Sequence, residues 1–290
     1  EHRRGYNINI GNTTEMTTMS SDQRCLRRLT IPFKFWFCND SGNGISLINL
    51  LHSDLIVNIK LRDINDVLIK DDDSYFEHVP RIRTHLLGNF VYLDEEERLK
   101  MSKSKLEYLI TKYQYSGDNI FMGDDIYDEN KIRLTLNFSD PAKYIYWKFN
   151  YSNIENSDNI ANWRNKVLID SNTGKIIKSM NECKLKFNGR ERELYKDYTY
   201  YNIYHPFIHG IYNLKEEEFV YSFALNPLKY QPSGSASLTN IEDFTMIMKL
   251  HSKAVEELTT KKTILNIKIW AKTINILSMI SGIGGLRFFG

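Results

Sequence analysis

Short runs of alternating apolar and polar residues recur along this chain and constrain its fold more than any other feature. An alternation with period two places apolar side chains on one face of a β-strand and polar ones on the other. Aromatic residues make up 13% of the chain, with 18 Tyr and 15 Phe, which favours sheets over helices. The sequence therefore predicts an all-β fold, a sandwich or jelly roll of many short strands. The alternating runs occupy residues 31–37, 55–61, 132–138, 219–225, 244–250 and 265–269.

Residues 219–243 show the pattern most clearly. They predict two strands around a turn, because Asn226-Pro227 ends the first alternating run. The segment Gln231-Pro232-Ser233-Gly234 has Pro at its second position and Gly at its fourth, as a type I turn prefers. Another turn is predicted at Asn188-Gly189.

Only one segment has a helical pattern. Residues 94–110 begin with four acidic side chains, which the positive end of a helix dipole favours. Leu99, Leu106 and Leu109 fall at spacings that can share one helix face. We predict a short helix or turn here.

Charge and hydropathy exclude several classes of protein. The net charge is only +2, so nothing favours direct binding of nucleic acid or of an anionic membrane. The longest apolar tract, residues 276–286, is about half of the ~20 residues that a membrane-spanning helix needs. The first residues do not resemble a signal peptide, and the absence of an initiating Met predicts a processed product or a fragment. Three cysteines, Cys25, Cys38 and Cys183, predict no disulfide framework and favour a reducing compartment.

No group of residues indicates catalysis or metal binding. His205 and His209 have a spacing that could serve a metal on a helix, but they bracket Pro206, and we predict a non-helical segment with a structural role. The acidic clusters at residues 71–73 and 124–125 lack the spacing of a calcium loop and are predicted to be solvated. The glycines at residues 42–44 and 282–285 predict positive φ angles or close packing rather than phosphate loops. We therefore predict no catalytic residue, no metal ligand and no cofactor, and hence not an enzyme.

Two surface features leave alternatives open. Five arginines in the first 28 residues, Arg3, Arg4, Arg24, Arg27 and Arg28, suggest a solvated strand face more than a contact with a subunit or nucleic acid. Four N-x-S/T sequons occur, at Asn12, Asn39, Asn137 and Asn150, and the sequence does not decide whether they are glycosylated.

Five blocks of sequence together resemble the major capsid protein of nucleocytoplasmic large DNA viruses. The strand YSFAL leading into QPSG within residues 219–243 matches a pattern of that family. The aromatic strand and Gly-containing turn at residues 31–47 resemble the end of its first jelly roll, and residues 90–109 resemble the opening of its second. Residues 186–204 and 274–286 resemble its Asn-Gly turn with a Tyr-rich strand and its last strand. The blocks occur in the family's order.

The resemblance implies a viral jelly-roll β-sandwich: the C-terminal jelly roll of a double jelly roll plus the last strands of the first. Residues 1–72 would be the C-terminal strands of an incomplete first jelly roll, and residues 73–290 the second jelly-roll domain. The implied partners are two further copies in a homotrimer, neighbouring capsomers and minor capsid proteins, with proximity to an inner viral membrane. The implied location is the virion, assembled in the host cytoplasm. Residues 1–70 would expose sheet edges and an apolar face that the missing strands would cover.

Three alternatives remain. The chain could be a paralogous or minor capsid protein, which sequence does not separate from a major one. A carbohydrate-binding β-sandwich would present Trp36, Trp147, Trp163 and Trp270 in an open cleft, whereas a shell subunit would bury them. A cupin-type enzyme would need histidines that converge on a metal, and the scattered histidines argue against it.

Overall fold

The computed structural model describes residues 30–61, 83–152, 167–170 and 174–288, and antiparallel strands dominate them. The long strands are β1 (Leu106–Phe121), β2 (Lys131–Leu136), β3 (Pro141–Ser152), β4 (Met180–Phe187), β5 (Arg190–Asp197), β6 (Glu218–Ser222), β8 (Phe244–Leu250) and β9 (Ile264–Ile280). The short strands are β7 (Ala236–Ser237) and β10 (Ile283–Leu286). The α-helices are α1 (Glu95–Lys103), α2 (His205–Ile208) and α3 (Ser252–Thr260).

The strand pairing is that of one long hairpin rolled into a sandwich. Strand β1 pairs with β9, β2 with β8, β3 with β6 and β4 with β5. The first and third pairs join as the sheet β1-β9-β3-β6, and the other two as β2-β8-β4-β5. Eight long strands in two sheets of this order form a jelly roll, which confirms the predicted fold class.

The Asn188-Gly189 turn lies at the centre of this hairpin, between β4 and β5. Phe187 pairs with Arg190, so the loop has two residues, and both have positive φ, 50° at Asn188 and 76° at Gly189. Positive φ at both positions is the geometry of a type I′ turn, for which Asn-Gly is the preferred sequence.

Replacing Gly189 with alanine is expected to lower the free energy of unfolding by about 1 kcal/mol, because a Cβ is disfavoured at φ > 0. The matched control is Gly285→Ala, since Gly285 has no positive φ and its added Cβ would meet no atom within 4 Å. Urea unfolding monitored by circular dichroism compares the two. Equal stability of the two variants would contradict the turn assignment.

The hydrophobic core lies between the two sheets. Strand β3 contributes Ile145, Trp147 and Phe149, which are all 0% exposed. The Trp147 ring packs against Phe219 of β6 and against Tyr201, with ring centroids 5.6 Å and 5.2 Å away. The alternating runs at residues 132–138, 244–250 and 265–269 bury their apolar side chains in this core, so these predicted strands are confirmed.

The 219–243 segment differs from a simple hairpin. Its two strands, β6 and β7, both pair with β3, and the first ends at Ser222 instead of continuing to Leu225. The intervening loop is fixed to β3 at Lys143, whose carbonyl accepts hydrogen bonds from the Phe223 and Ala224 N–H groups. The loop bends at Gln231 and is closed by the Leu225 N–H, which donates to the Ser233 carbonyl at 3.2 Å.

The strands predicted at residues 31–37 and 55–61 are wrong. Residues 30–61 contain three short 3₁₀ helices, Trp36–Cys38, Ser41–Asn43 and Leu47–Asn49, and residues 54–61 form neither helix nor strand. The alternating apolar side chains are present but exposed, including Ile31 at 57% and Ile59 at 54%. The apolar exposure expected here is confirmed for this stretch, whereas the expected sheet edges are not formed in it. Alternation alone does not make a strand without a partner to complete its hydrogen-bond ladder.

The helix prediction is confirmed in part. Helix α1 ends at Lys103, and the predicted helical residues Leu106 and Leu109 begin strand β1. Helices α2 and α3 lie outside the one predicted segment. In α3 the buried side chains are Ala254 and Leu258, an i, i+4 pair on one face. Among the described helices, each is too short or too polar to cross a membrane.

Contacts divide the chain into two compact units. The larger one holds most of the two sheets, within residues 108–276, together with residues 30–44 and 286–288. The smaller one holds residues 45–61, 83–107 and 277–285. In the smaller unit, the Asn49 side-chain amide donates to the Met101 carbonyl at 2.8 Å, and the His52 N–H donates to the Gly282 carbonyl at 2.8 Å. Gly282 has φ +83° and an added Cβ would lie 2.8 Å from the His52 ring, so the predicted role of this glycine is confirmed. The boundary at residue 72 stays a prediction.

Candidate functional site: an aromatic groove on the outer sheet face

The face of the β1-β9-β3-β6 sheet that points away from the core carries a cluster of aromatic side chains. On β3 the residues between the core positions, Tyr144 and Tyr146, point outward, and the register places them opposite Lys272 and Trp270 of β9. The Trp270 ring lies 5.4 Å from Tyr146 and stacks on Tyr115 of β1 at 5.3 Å. Such offset aromatic contacts stabilise an outer face beyond its area of burial.

Lys272 is the cation that contacts the rings of this aromatic cluster. Its ammonium nitrogen lies 5.3 Å from the centroid of the Tyr113 ring and 5.9 Å from that of Tyr144. No ion pair among the described residues includes Lys272. Burial raises the pKa of both Tyr144 and Tyr146, so these phenols stay neutral. The aromatic cluster therefore combines neutral aromatic rings with the ammonium group of Lys272.

Loops on either side of β6 close this face into a cavity of about 260 Å³, which we call the aromatic groove. Its lining is aromatic or aliphatic except for Lys272: Tyr113, Tyr144, Tyr146, Ile211, Leu214, Val220, Leu228, Trp270 and Lys272. Tyr113 is 59% exposed and Leu228 55% exposed at its rim. These side chains can bind an apolar group; they contain no nucleophile with an adjacent base.

His205 begins helix α2 and His209 directly follows its last residue, so the prediction of a non-helical segment is wrong. A π-helical turn, Tyr200–Tyr204, leads into α2, and Pro206 is tolerated because it occupies the first turn. His205 is buried and its Nε2 accepts a hydrogen bond from the Ser222 N–H at 2.9 Å. Its Nδ1 lies 3.2 Å from the Tyr200 hydroxyl, and its ring stacks on Tyr221 at 4.8 Å. Burial, together with the neighbouring His209, lowers the pKa of His205 to about 4, so the ring is neutral and holds α2 on the sheet.

The other residues considered from the sequence are dispersed. Cys183 is buried and Cys38 exposed, both as free thiols, and burial raises the pKa of Cys183. The Asp125 carboxylate accepts the Met122 N–H at 2.7 Å, which caps a short 3₁₀ turn. No group of three His, Cys, Asp or Glu side chains in the described part of the chain could hold a metal ion. Cys25, Trp163, Asn12, the arginines at positions 3–28 and the acidic run at 71–73 lie outside the described residues.

Of the three sequon asparagines that the structure describes, two are exposed. Asn39 and Asn137 lie on the surface, and Asn150 is half-buried within β3, opposite Asn266 of β9. Of the described tryptophans, Trp147 is in the core, Trp36 lies 5.2 Å from the Tyr108 ring, and Trp270 lines the aromatic groove between two tyrosines. The burial of Trp147 is what a shell subunit predicts, whereas the position of Trp270 in a groove does not separate the two alternatives.

The fold is an eight-stranded jelly roll, a class of β-sandwich that includes viral capsid domains, lectins and cupins. Residues 97–285 match the family of the large eukaryotic DNA virus major capsid protein, and residues 2–94 match the major capsid protein N-terminus. The chain belongs to this family of viral structural proteins.

Relatives agree with that assignment, and a solved structure agrees with the fold. The chain is 25% identical to the major capsid protein of Pyramimonas orientalis virus, over 99% of this chain and 68% of that protein. It is 31% identical to probable capsid protein 4 of Acanthamoeba polyphaga mimivirus, over 71% of this chain and 39% of that protein. The capsid model of virus PBCV-1 matches with a TM-score of 0.53 and 23% identity, covering 69% of this chain. The match spans 55% of the length of that PBCV-1 chain.

Proposed function

We propose that this chain is a structural subunit whose homotrimers form pseudo-hexagonal capsomers of an icosahedral virus shell. Residues 1–72 would be the last strands of a first jelly roll and residues 73–290 the second. The role is mechanical and not enzymatic. The observation that carries the proposal is the rolled hairpin of eight strands, which presents an aromatic face and apolar segments on its outside.

The exposed apolar surface supports a role in assembly. Side chains at residues 86–92 are largely uncovered, with Leu87 at 88%, Val91 at 86% and Tyr92 at 89% exposure. Such contiguous apolar exposure is unusual for a monomer and marks contact surfaces. In a capsomer, neighbouring copies would cover these residues.

The implied partners follow from this role. They are two further copies, neighbouring capsomers and minor capsid proteins, with no direct contact with nucleic acid and with an inner viral membrane close by. The chain would be located in the virion shell after assembly in the host cytoplasm. A paralogous or minor capsid protein is the second candidate, favoured by the 31% identity to probable capsid protein 4 of the mimivirus. The number of copies per purified particle separates the two.

Native mass spectrometry of the purified chain tests the proposal. We expect a species of three times the 34.1 kDa chain mass, alone or within larger assemblies. The midpoint temperature of thermal unfolding should then rise with protein concentration, because association stabilises the folded state by mass action. A soluble monomer that unfolds cooperatively and independently of concentration would contradict the proposal.

A further inference from the structure

The aromatic groove is open to solvent, and its one cationic side chain has no anionic partner among the described residues. Tyr113 and Leu228 at its rim are more than half exposed, and Lys272 has aromatic rings but no carboxylate partner among the described residues. A cavity of about 260 Å³ lies below the range of about 300–1,000 Å³ that drug-sized ligands occupy. Its size and lining fit one aromatic side chain of a protein, followed by an acidic group that reaches Lys272.

The same chain exposes a segment with that chemistry. Residues 90–97 read Phe-Val-Tyr-Leu-Asp-Glu-Glu-Glu, and we call them the aromatic-acidic segment. Phe90 is 66% exposed and Tyr92 is 89% exposed, and residues 90–93 form neither helix nor strand. The carboxylates begin at Asp94 and continue as Glu95, Glu96 and Glu97 in the first turn of α1.

The spacing of this segment suits the groove. In an extended chain, residues two apart point to the same side and lie about 7 Å from each other. Phe90, Tyr92 and Asp94 would therefore form a row of two aromatic rings and one carboxylate on one side of the backbone. Val91 points to the other side, which makes it a natural control.

We infer that the aromatic groove of one copy binds the aromatic-acidic segment of a second copy. Phe90 or Tyr92 fills the cavity beside Trp270, and Asp94 pairs with Lys272. The two surfaces differ, so the contact is head-to-tail, and repetition around an axis closes a ring. This inference rests on the proposed function, because it names the surfaces through which the capsomer copies would associate.

Sedimentation velocity over a concentration series tests the contact. The variant Phe90→Ser/Tyr92→Ser is expected to weaken self-association by about tenfold or more, the effect of losing a buried aromatic anchor. Val91→Ser should associate like the unaltered chain, although Val91 is 86% exposed. Circular dichroism verifies that each variant folds.

Charge reversal separates a contact between copies from one within a chain. Lys272→Glu and Asp94→Lys should each weaken association by about tenfold, as charge-pair contacts at interfaces allow. Mixing the two variants should restore a heterodimer, because the Glu at position 272 then meets the Lys at position 94. The two substitutions are also combined in one chain, as Lys272→Glu/Asp94→Lys. If association is restored in this combined variant but not in the mixture of single variants, the contact is intramolecular and the inference is overturned.

Two further outcomes distinguish a failure of this inference from a failure of the proposed function. If the unaltered chain associates and the Phe90→Ser/Tyr92→Ser variant associates equally well, the inference is overturned while the proposed function stands. If the unaltered chain remains a monomer throughout the series, both are overturned.

Discussion

Replacing Trp147 with alanine is expected to lower the free energy of unfolding by about 3–5 kcal/mol, the range for removing a large aromatic side chain from a core. Trp147 is 0% exposed at the centre of β3, and its ring contacts both Tyr201 and Phe219. The cavity left behind would lie between the two sheets, whose strands cannot collapse onto it without breaking their register. Urea unfolding, followed by far-UV circular dichroism, measures the change without relying on tryptophan fluorescence.

Trp147→Phe is the matched control. The indole Nε1 is buried with no hydrogen-bond partner among the described residues, so the wild-type ring already carries the cost of an unpaired donor. Phenylalanine removes that donor and keeps much of the ring, and the expected cost is below about 1.5 kcal/mol. Equal losses for the Ala and Phe variants would contradict the account of this core.

Replacing Glu217 with glutamine is expected to stabilise the protein above neutral pH and to leave it unchanged in acid. Glu217 is 0% exposed, and its Oε1 accepts the Ser179 N–H at 3.0 Å, whereas Oε2 has no hydrogen-bond partner among the described residues. Burial raises the pKa of this carboxyl to about 7, with Glu216 adding to the rise and the Ser179 N–H hydrogen bond and Lys178 opposing it. Tyr151 and Tyr198 are the other titratable groups that face it, and burial raises the pKa of both.

The direction of the pH effect follows from proton binding. Between pH 4.5 and about 7 the folded protein holds a proton on Glu217 that the unfolded chain releases, so stability falls as pH rises through this window. A pKa rise of this size corresponds to about 3 kcal/mol. The Glu217→Gln variant does not lose stability in this way, because its amide does not titrate. The difference in unfolding free energy between variant and wild type should therefore grow by about 3 kcal/mol from pH 4.5 to pH 8.

The pH effect must be measured as the difference in unfolding free energy between variant and wild type, because His205 makes the stability of both proteins rise with pH. Its lowered pKa favours the unfolded state as pH falls below 6.5, in the wild type and the variant alike. Urea unfolding of both proteins at a series of pH values cancels this shared contribution. A difference that stays constant with pH would contradict the assignment of a protonated Glu217.

The sequence predicted the strands whose apolar faces meet a core. Residues 132–138 and 244–250 alternate, and they pair with each other in the same sheet, so the pattern and the tertiary structure agree. Residues 31–37 have an equally clear alternation, but their structure includes a 3₁₀ turn at Trp36–Cys38 and no strand. Residues 132–138 have a neighbouring strand that completes their hydrogen-bond ladder, whereas no strand pairs with residues 31–37 among the described residues. The alternation of a segment does not say whether such a neighbour exists.

The site was less predictable than the fold. The outward aromatics Tyr144 and Tyr146 belong to the nearly continuous apolar run 144–149, a signal for a strand covered on both faces that could have indicated the groove. The sequence did not predict the helix around Pro206. The proline lies in the first turn of α2, where its missing N–H removes no hydrogen bond of that helix. The buried ionisable side chains of Lys143 and Glu217 lie among loops and strands distant in sequence, so no local pattern marks them.

Electron microscopy of the native particle, with a reconstruction that resolves its capsomers, tests the central claim most directly. We predict threefold, pseudo-hexagonal blocks in an icosahedral lattice, with density for the β1-β9-β3-β6 and β2-β8-β4-β5 sheets in each subunit. Isolated monomers with a ligand bound in the aromatic groove, and no lattice of capsomers, would contradict it.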